Sequence, residues 1–532
     1  MKYIITTLAC LFVSIIGLGQ NTEFSKLDRF FTTLEENDRY FGSVAVSCGG
    51  DIIYTKAIGY ADLEKQIPNT SETKFRIGSI SKTFTATLIM KAVEMGKISL
   101  DEKIDTYFPR IKNASKISIR HLLNHRSGIN TFTDRSFFAW HLTPISKAAL
   151  LDTIVSKGIG FEADARHVYS NSNYVLLSFL LESVFDKSYS DVLEQYITKP
   201  LALKHTSYGG KINPAKGEAR SYRMKDTWTL SSEEDMSIPQ GAGGIISTPT
   251  DLARFADALF NGKLISPKSL AQMKPLADAS YGLGIEEAKI DEMEGLGHTG
   301  AIDAFSSSLT YFEESDVSIA LICNGSNYGS HDVAIAVLRE VFDKPYELPS
   351  FDFVELSSEY LDQYVGTYES DKLPMDMTVS KEGNTLSLGI PGQASDVLKA
   401  EGDHKFSILK YGVKVRFIPE QKMMHFEQQG MAFELSMKEA TQTASSPKPI
   451  KVDLDQYLGT YTSDQLPLDI TFSKEEGKLI AQGTGQPSFP LTAEGDHVFS
   501  NTEIGLLVTF IPMEKKMRVA QGGAEFEMKL EE

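Results

Sequence analysis

The segment from Leu361 to Asp376 recurs from Leu454 to Asp469 with twelve of sixteen positions identical. The same offset of 93 relates Ala400–His404 to Ala493–His497 and Phe417–Pro419 to Phe510–Pro512, so this is a duplication without gaps. Whatever one copy folds into, the other must fold into as well. Each copy alternates with a period of two: Val413, Val415 and Phe417 point one way and Lys414 and Arg416 the other, and Phe433, Leu435 and Met437 repeat the pattern, which is the signature of strands with one buried face. Turn residues such as Glu382-Gly383-Asn384 separate the strands. A period of this length is too long for a solenoid repeat, so the reading is two tandem all-β domains, 354–440 and 450–532. The Ser-, Thr- and Pro-rich stretch 441–449 is their linker. Short alternating strands in a unit of this size can close into an up-and-down barrel, which removes exposed edges, and about eight strands leave room mainly for side chains inside.

The first part of the chain has a different grammar. Ser79 and Lys82 stand three residues apart where Phe75-Arg76-Ile77-Gly78 gives way to a strongly helical run from Thr83 to Met95. A helix beginning at Ser79 would stack the hydroxyl and the ammonium on one face, within proton-transfer reach. A hydroxyl is a poor nucleophile until a neighbour takes its proton, and a helix N-terminus favours developing negative charge. By itself Ser-x-x-Lys usually marks a capped, solvated first turn. Three further pieces accompany it: Leu122-Leu123-Asn124-His125-Arg126-Ser127-Gly128 between the serine and the tyrosine, Tyr169-Ser170-Asn171 in a polar loop before the apolar helix Val175 to Phe185, and His298-Thr299-Gly300 after the glycine-rich Tyr281-Gly282-Leu283-Gly284.

In order and spacing these motifs resemble the serine β-lactamase and penicillin-binding-protein superfamily, in particular its class C-like branch, whose catalytic elements are Ser-x-x-Lys, Tyr-x-Asn and Lys/His-x-Gly. The resemblance covers about residues 25 to 345 and includes the glycine-rich turn Gly241–Gly244 leading into a capped helix. It implies an α+β catalytic domain over 20–348, with an antiparallel five-stranded sheet flanked by helices and an all-helical subdomain. The opening turns of the repeats are similar to lipocalin-like barrels appended to some hydrolases of this superfamily, and the whole resembles a D-aminopeptidase architecture.

Roles follow from chemistry and from the resemblance. Ser79 is the candidate nucleophile and Lys82 the leading proton acceptor, because a desolvated lysine loses its proton more easily. Tyr169 is the second candidate base if Lys82 and His298 stabilise its phenolate, and the resemblance favours it as the donor to the leaving group. Asn171 suits holding the Lys82 ammonium and a substrate amide. The resemblance implies an oxyanion hole from the backbone N–H groups of Ser79 and Ala301, with Thr299 and Gly300 beside it. No metal or other cofactor is required. His121 and His125 have the spacing of a zinc pair on a helix but lack a neighbouring Glu and a third ligand, and His125 matches a structural turn of the family. Phe137, Phe138 and Trp140 either line the cleft or pack a helix, the second being the commoner use.

His298 stands where many members of the superfamily carry a lysine that binds a substrate carboxylate. A neutral imidazole binds it less well, which moves weight from carboxypeptidases and β-lactamases towards aminopeptidases, other peptidases and esterases. The expected partner is therefore a small peptide or ester, with a ligand-binding protein as the alternative from another class. The formal charge of −18 over 532 residues argues against nucleic acid. Lys2, the apolar run Ile4 to Leu18 and the small residues Gly17 and Gly19 read as an export leader over 1–19 cleaved before Gln20. That run is short for a membrane anchor, so the expectation is an exported protein, periplasmic or extracellular, without stable membrane insertion after cleavage. Cys48 and Cys323 each close an apolar run, and the family fold implies that they lie at opposite ends of adjacent antiparallel strands, unbonded.

Overall fold

Leu27, Phe30, Phe31 and Leu34 follow one another at helical spacing, and helix α1 (Ser25–Glu36) buries all four. The computed structural model describes residues 24–531 apart from 277–278, 291–292, 374, 391–394, 429, 439–452, 464–468, 476, 485–487, 496, 502–505 and 522–523. The leader expected over 1–19 and the linker expected over 441–449 lie outside these residues. The chain divides into two units between Ser350 and Phe351.

In the first unit, helices α2 (Ser81–Glu94) and α3 (Asn171–Phe185) carry small or apolar residues on every side and are buried almost throughout, as expected of a helix with no polar face. The threonines of α2 are satisfied by backbone carbonyls near and far. Thr85 and Thr87 donate to the carbonyls four residues back, of Ser81 and Thr83, and Thr83 donates to the Gly284 carbonyl. Helix α2 starts two residues later than the sequence suggests: Ser79 sits in a short 3₁₀ turn, Gly78–Ile80. Gly78 has φ +50, a left-handed value that an α-helix cannot contain.

Strands β1 (Tyr40–Cys48), β2 (Asp51–Ile58), β3 (Glu286–Ile290), β4 (Met293–Ile302), β5 (Phe305–Phe312) and β6 (Val317–Ser326) form one antiparallel sheet in the order β3-β4-β5-β6-β1-β2. The resemblance implies five strands; the sixth is β3, which pairs with β4 only as far as Glu286 opposite Gly297. Beyond that point the outer edge of β4 is open. Strands β1 and β6 are buried along nearly their whole length because helices cover the sheet. Helix α4 (Pro249–Phe260) packs on β1, β5 and β6, and α1 packs with helix α5 (Ser330–Val341) and on β1 and β2. Cys48 lies opposite Val317 and Cys323 opposite Gly42, so the two cysteines sit far apart along the β1–β6 pair and no disulfide joins them.

In the second unit, eight strands from Gly366–Glu369 to Met431–Met437 close into a barrel, and eight from Gly459–Thr462 to Ala524–Leu530 close into another. Val413, Val415 and Phe417 face the core and Lys414 and Arg416 face out, as the alternation requires. The interiors are filled. Tyr364 packs on Phe417 with ring centroids 4.6 Å apart, and 93 residues later Tyr457 packs on Phe510 at 4.6 Å. Each of these tyrosines also meets a histidine, His404 Nδ1 at 2.6 Å and His497 Nδ1 at 2.8 Å.

Candidate active site

Ser79 is fixed by contacts on both sides of its turn. Phe75 pairs with Ser247 and Arg76 with Ile246, Ile77 N–H donates to the Ile245 carbonyl, and Ile245 N–H donates to Ser81 Oγ. Across the turn, Ser307 Oγ on β5 donates to the Ile77 carbonyl at 2.8 Å. The fit is close enough to require glycine twice. A Cβ on Gly78 would stand 2.7 Å from Ala301 N, and one on Gly300 would stand 2.1 Å from the Ile77 carbonyl oxygen. The Ser79 turn and the Gly300–Ala301 stretch of β4 are therefore backbone against backbone. Arg76, only 1 % exposed, clamps the surroundings by donating to Asp303 at 2.9 Å, Glu233 at 2.8 Å and the carbonyls of Gly210 and Glu234.

Lys82 Nζ lies 2.9 Å from Ser79 Oγ and donates to the Ala242 carbonyl at 2.7 Å. Its side chain is 0 % exposed. Burial pushes the ammonium far below its ordinary range, opposed by the negative charge of Glu286. The expected Asn171–Lys82 hydrogen bond is not made. Asn171 Nδ2 donates to Thr133 Oγ1 at 3.0 Å, because Asn171 opens helix α3 and its amide is tied to the 130–133 segment by Thr131 and Thr133.

Tyr169 completes the near side. Lys82 Nζ stands 4.8 Å from the centre of its ring. Loss of water raises its phenol above the usual range, while a hydrogen bond with Ser79 pulls the other way. The residue as a whole is 38 % exposed, so it is the hydroxyl end that is enclosed. His125 holds this loop: its Nδ1 accepts from Ser170 N–H at 3.2 Å, its carbonyl accepts from Val168 N–H, and its ring lies 4.3 Å from that of Tyr169. His121 Nδ1 accepts from Ser118 N–H in a capping box. Both imidazoles of the supposed zinc pair thus spend Nδ1 on backbone amides.

His298 is 3 % exposed. Its Nδ1 lies 2.6 Å from the Thr299 carbonyl, which can only accept, so Nδ1 carries the proton and Nε2 accepts from Tyr281 O–H at 3.1 Å. Burial pushes the imidazole down to about 4, helped by the Lys82 charge and opposed by Glu286. His298 is therefore neutral at pH 7, with both nitrogens engaged.

Two pockets meet at Ser79 and Ala301. One is lined by Phe132, Thr133, Phe137, Phe138, Asn171 and Glu234, so Phe137 and Phe138 face the cleft and do not merely pack a helix. Trp140 stands behind them, 5.2 Å from Phe137 and 6.2 Å from Phe132. The other is lined by Tyr169, Glu286, His298, Thr299 and Gly300. The sequence reading missed both acids, and Tyr281 only appeared in it as part of a turn. Glu286 stands two residues after Gly284 of that turn, but its place in the cleft comes from the β3–β4 register, which carries no local signal.

The arrangement juxtaposes a hydroxyl with a desolvated amine and an open strand edge. Thr299 N–H donates away from β5, to Glu286, and by the two-residue alternation of a strand Ala301 N–H points to the same unpaired side. Residues 27–342 match the family model Beta-lactamase. The chain is 31 % identical over 252 residues to the teichoic acid D-alanine hydrolase of Staphylococcus aureus (strain MRSA252), covering 47 % of this chain and 61 % of that protein. Among solved structures, D-amino acid amidase from Ochrobactrum anthropi SV3 is 28 % identical with a TM-score of 0.53, covering 60 % of this chain and 99 % of that one. The octameric penicillin-binding protein homologue from Pyrococcus abyssi, 21 % identical with a TM-score of 0.55 and covering 87 % of this chain and 99 % of that one, shares the fold. Since the matched residues make up more than half of its length, the chain belongs to the beta-lactamase family, as a serine hydrolase.

Proposed function

We propose that this protein cleaves small amide or ester substrates through an acyl-enzyme on Ser79, with short or D-amino-acid-containing peptides first and esters second. The observation that carries the reading is the buried Lys82 amine 2.9 Å from Ser79 Oγ. A neutral amine there accepts the Ser79 proton as Oγ attacks the carbonyl carbon. The resulting oxyanion is held by the N–H groups of Ser79 and Ala301. Tyr169 keeps its proton until the leaving group needs it: its phenol is raised by burial, and a neutral His298 offers no charge to stabilise a phenolate. Proton transfer through Tyr169 to the departing nitrogen or oxygen breaks the scissile bond, and water then hydrolyses the ester on Ser79. Asn171, in the aromatic-lined pocket, orients the acyl portion.

The names of the two related proteins, a teichoic acid D-alanine hydrolase and a D-amino acid amidase, support this substrate class. No helix among the described residues is long and apolar enough to cross a membrane, and the leader reading makes the mature protein an exported one beginning at Gln20, which N-terminal sequencing of the secreted protein would test. The function itself is tested by labelling with a fluorophosphonate and by a panel of D- and L-aminoacyl amides, acyl esters and β-lactams. Ser79 becomes labelled, and Ser79→Ala abolishes both label and turnover, by roughly 10⁶-fold for loss of a hydrolase nucleophile. Labelling that survives Ser79→Ala would overturn the assignment.

A further inference from the structure

On the Tyr169 side of Ser79, the open edge of β4 offers Thr299 N–H, Thr299 O–H and Ala301 N–H to whatever lies along it. The first two are already taken. Glu286 Oε1 accepts from Thr299 N–H at 2.6 Å and from Thr299 Oγ1 at 2.9 Å, and it stands 3.6 Å from His298 Nδ1. The Glu286 side chain is 28 % exposed and lines the pocket. His298, which could otherwise supply a compensating charge, is held neutral with both nitrogens engaged. The acid reached this place because β3 begins at Glu286, opposite Gly297, so its pairing with β4 stops one residue short of His298 and two short of Thr299.

We infer that Glu286 is a specificity-determining residue that excludes substrates whose leaving group carries a carboxylate and admits leaving groups that are neutral or cationic. The inference rests on the proposed acyl-enzyme, because it is Tyr169 as donor to the leaving group that puts the leaving group in this pocket. A carboxylate there meets a like charge and finds the Thr299 donors occupied. A carboxamide, an alcohol or an ammonium meets an acceptor instead.

The test compares two substrates that share an acyl group, D-alanyl-D-alanine and D-alanyl-D-alaninamide, in the full chain. The wild type is expected to favour the amide by at least about tenfold in kcat/KM, the scale of one like-charge contact near a surface. Glu286→Gln keeps an oxygen for Thr299 and removes the charge, so the preference falls towards unity. Glu286→Ala also frees the Thr299 donors, so the free acid gains further. Binding of the same pair to Ser79→Ala by calorimetry reports the same ratio without turnover. A wild-type ratio near unity, or a ratio unmoved in both Glu286 variants, overturns the inference. Loss of fluorophosphonate labelling at Ser79 concerns the hydrolase reading and is scored separately from these ratios.

Discussion

The catalytic unit and the barrels bury different things. Around the cleft, Lys82, His125, His298, Asn173 and Arg76 are all withdrawn from water, whereas tyrosines aside the buried polar residues of the described barrel strands are Ser407 and Ser500. A packed apolar interior stabilises a fold in proportion to the area it hides. A buried amine costs stability unless its proton leaves. The barrels thus use burial to hold a shape, and the cleft uses it to change the chemistry of a side chain. Proteins commonly trade stability for function at such sites.

The sharpest way to break this comparison is Lys82→Met, which matches the lysine in length and removes the amine. Activity should fall by roughly 10³–10⁴-fold, the upper range for loss of a general base, while the folded state gains about 0.5–2 kcal/mol, as relief of a destabilised functional site does. The gain shrinks as pH rises. Lys82 is depressed in the folded state, so the unfolded chain binds an extra proton through the interval between its lowered and ordinary values, and wild-type stability climbs there. Paired kinetics and urea titrations read both signs, and a variant that loses activity and stability together would show that Lys82 is there for packing.

What the sequence made legible follows the range of the interactions involved. Ser79 and Lys82 needed only local spacing, although the start of helix α2 was misjudged because Gly78 and its left-handed turn are dictated by Ala301. The barrels were legible because alternation is local and because the repeat states it twice. Tyr169 and His298 came through the order of motifs, which stands in for a fold. The partner of Lys82 did not: the Ala242 carbonyl takes the place foreseen for Asn171, since a backbone oxygen leaves no mark in a sequence. Glu234 and Glu286 reach the cleft through a loop clamped by Arg76 and through a strand register, and neither is encoded nearby.

The barrel side of the comparison is tested by its own duplication. Phe417 and Phe510 occupy equivalent places, against Tyr364 and Tyr457 at the same 4.6 Å and in register with Met424 and Met517. Phe417→Ala and Phe510→Ala should each cost about 3–5 kcal/mol, the usual price of an emptied aromatic site. The two values should agree within about 1 kcal/mol, given how far such costs depend on the way a site collapses. Calorimetry on the single variants measures this. A large inequality would mean that the shared ring geometry hides different packing around it.

The effect most dependent on pH lies at the border between chemistry and packing. Glu234 lines the aromatic pocket beside Ser79, and burial with the charges of Asp303 and Asp235 pushes it up to about 8 against the pull of Arg76. A carboxyl raised in the folded state favours folding only while it is protonated. Between its ordinary value of 4.5 and about 8 the unfolded chain has already released the proton and the folded chain has not, so wild-type stability declines as pH rises through that window. Glu234→Gln keeps the shape and removes the titration. Its advantage in Tm over the wild type should be negligible near pH 4.5, grow steadily, and level off above about pH 8. A gain independent of pH would place the effect in hydrogen bonding, and a loss at every pH would mean that the ionised acid is held by Arg76 and that this pocket, unlike the amine beside it, is built for a charge.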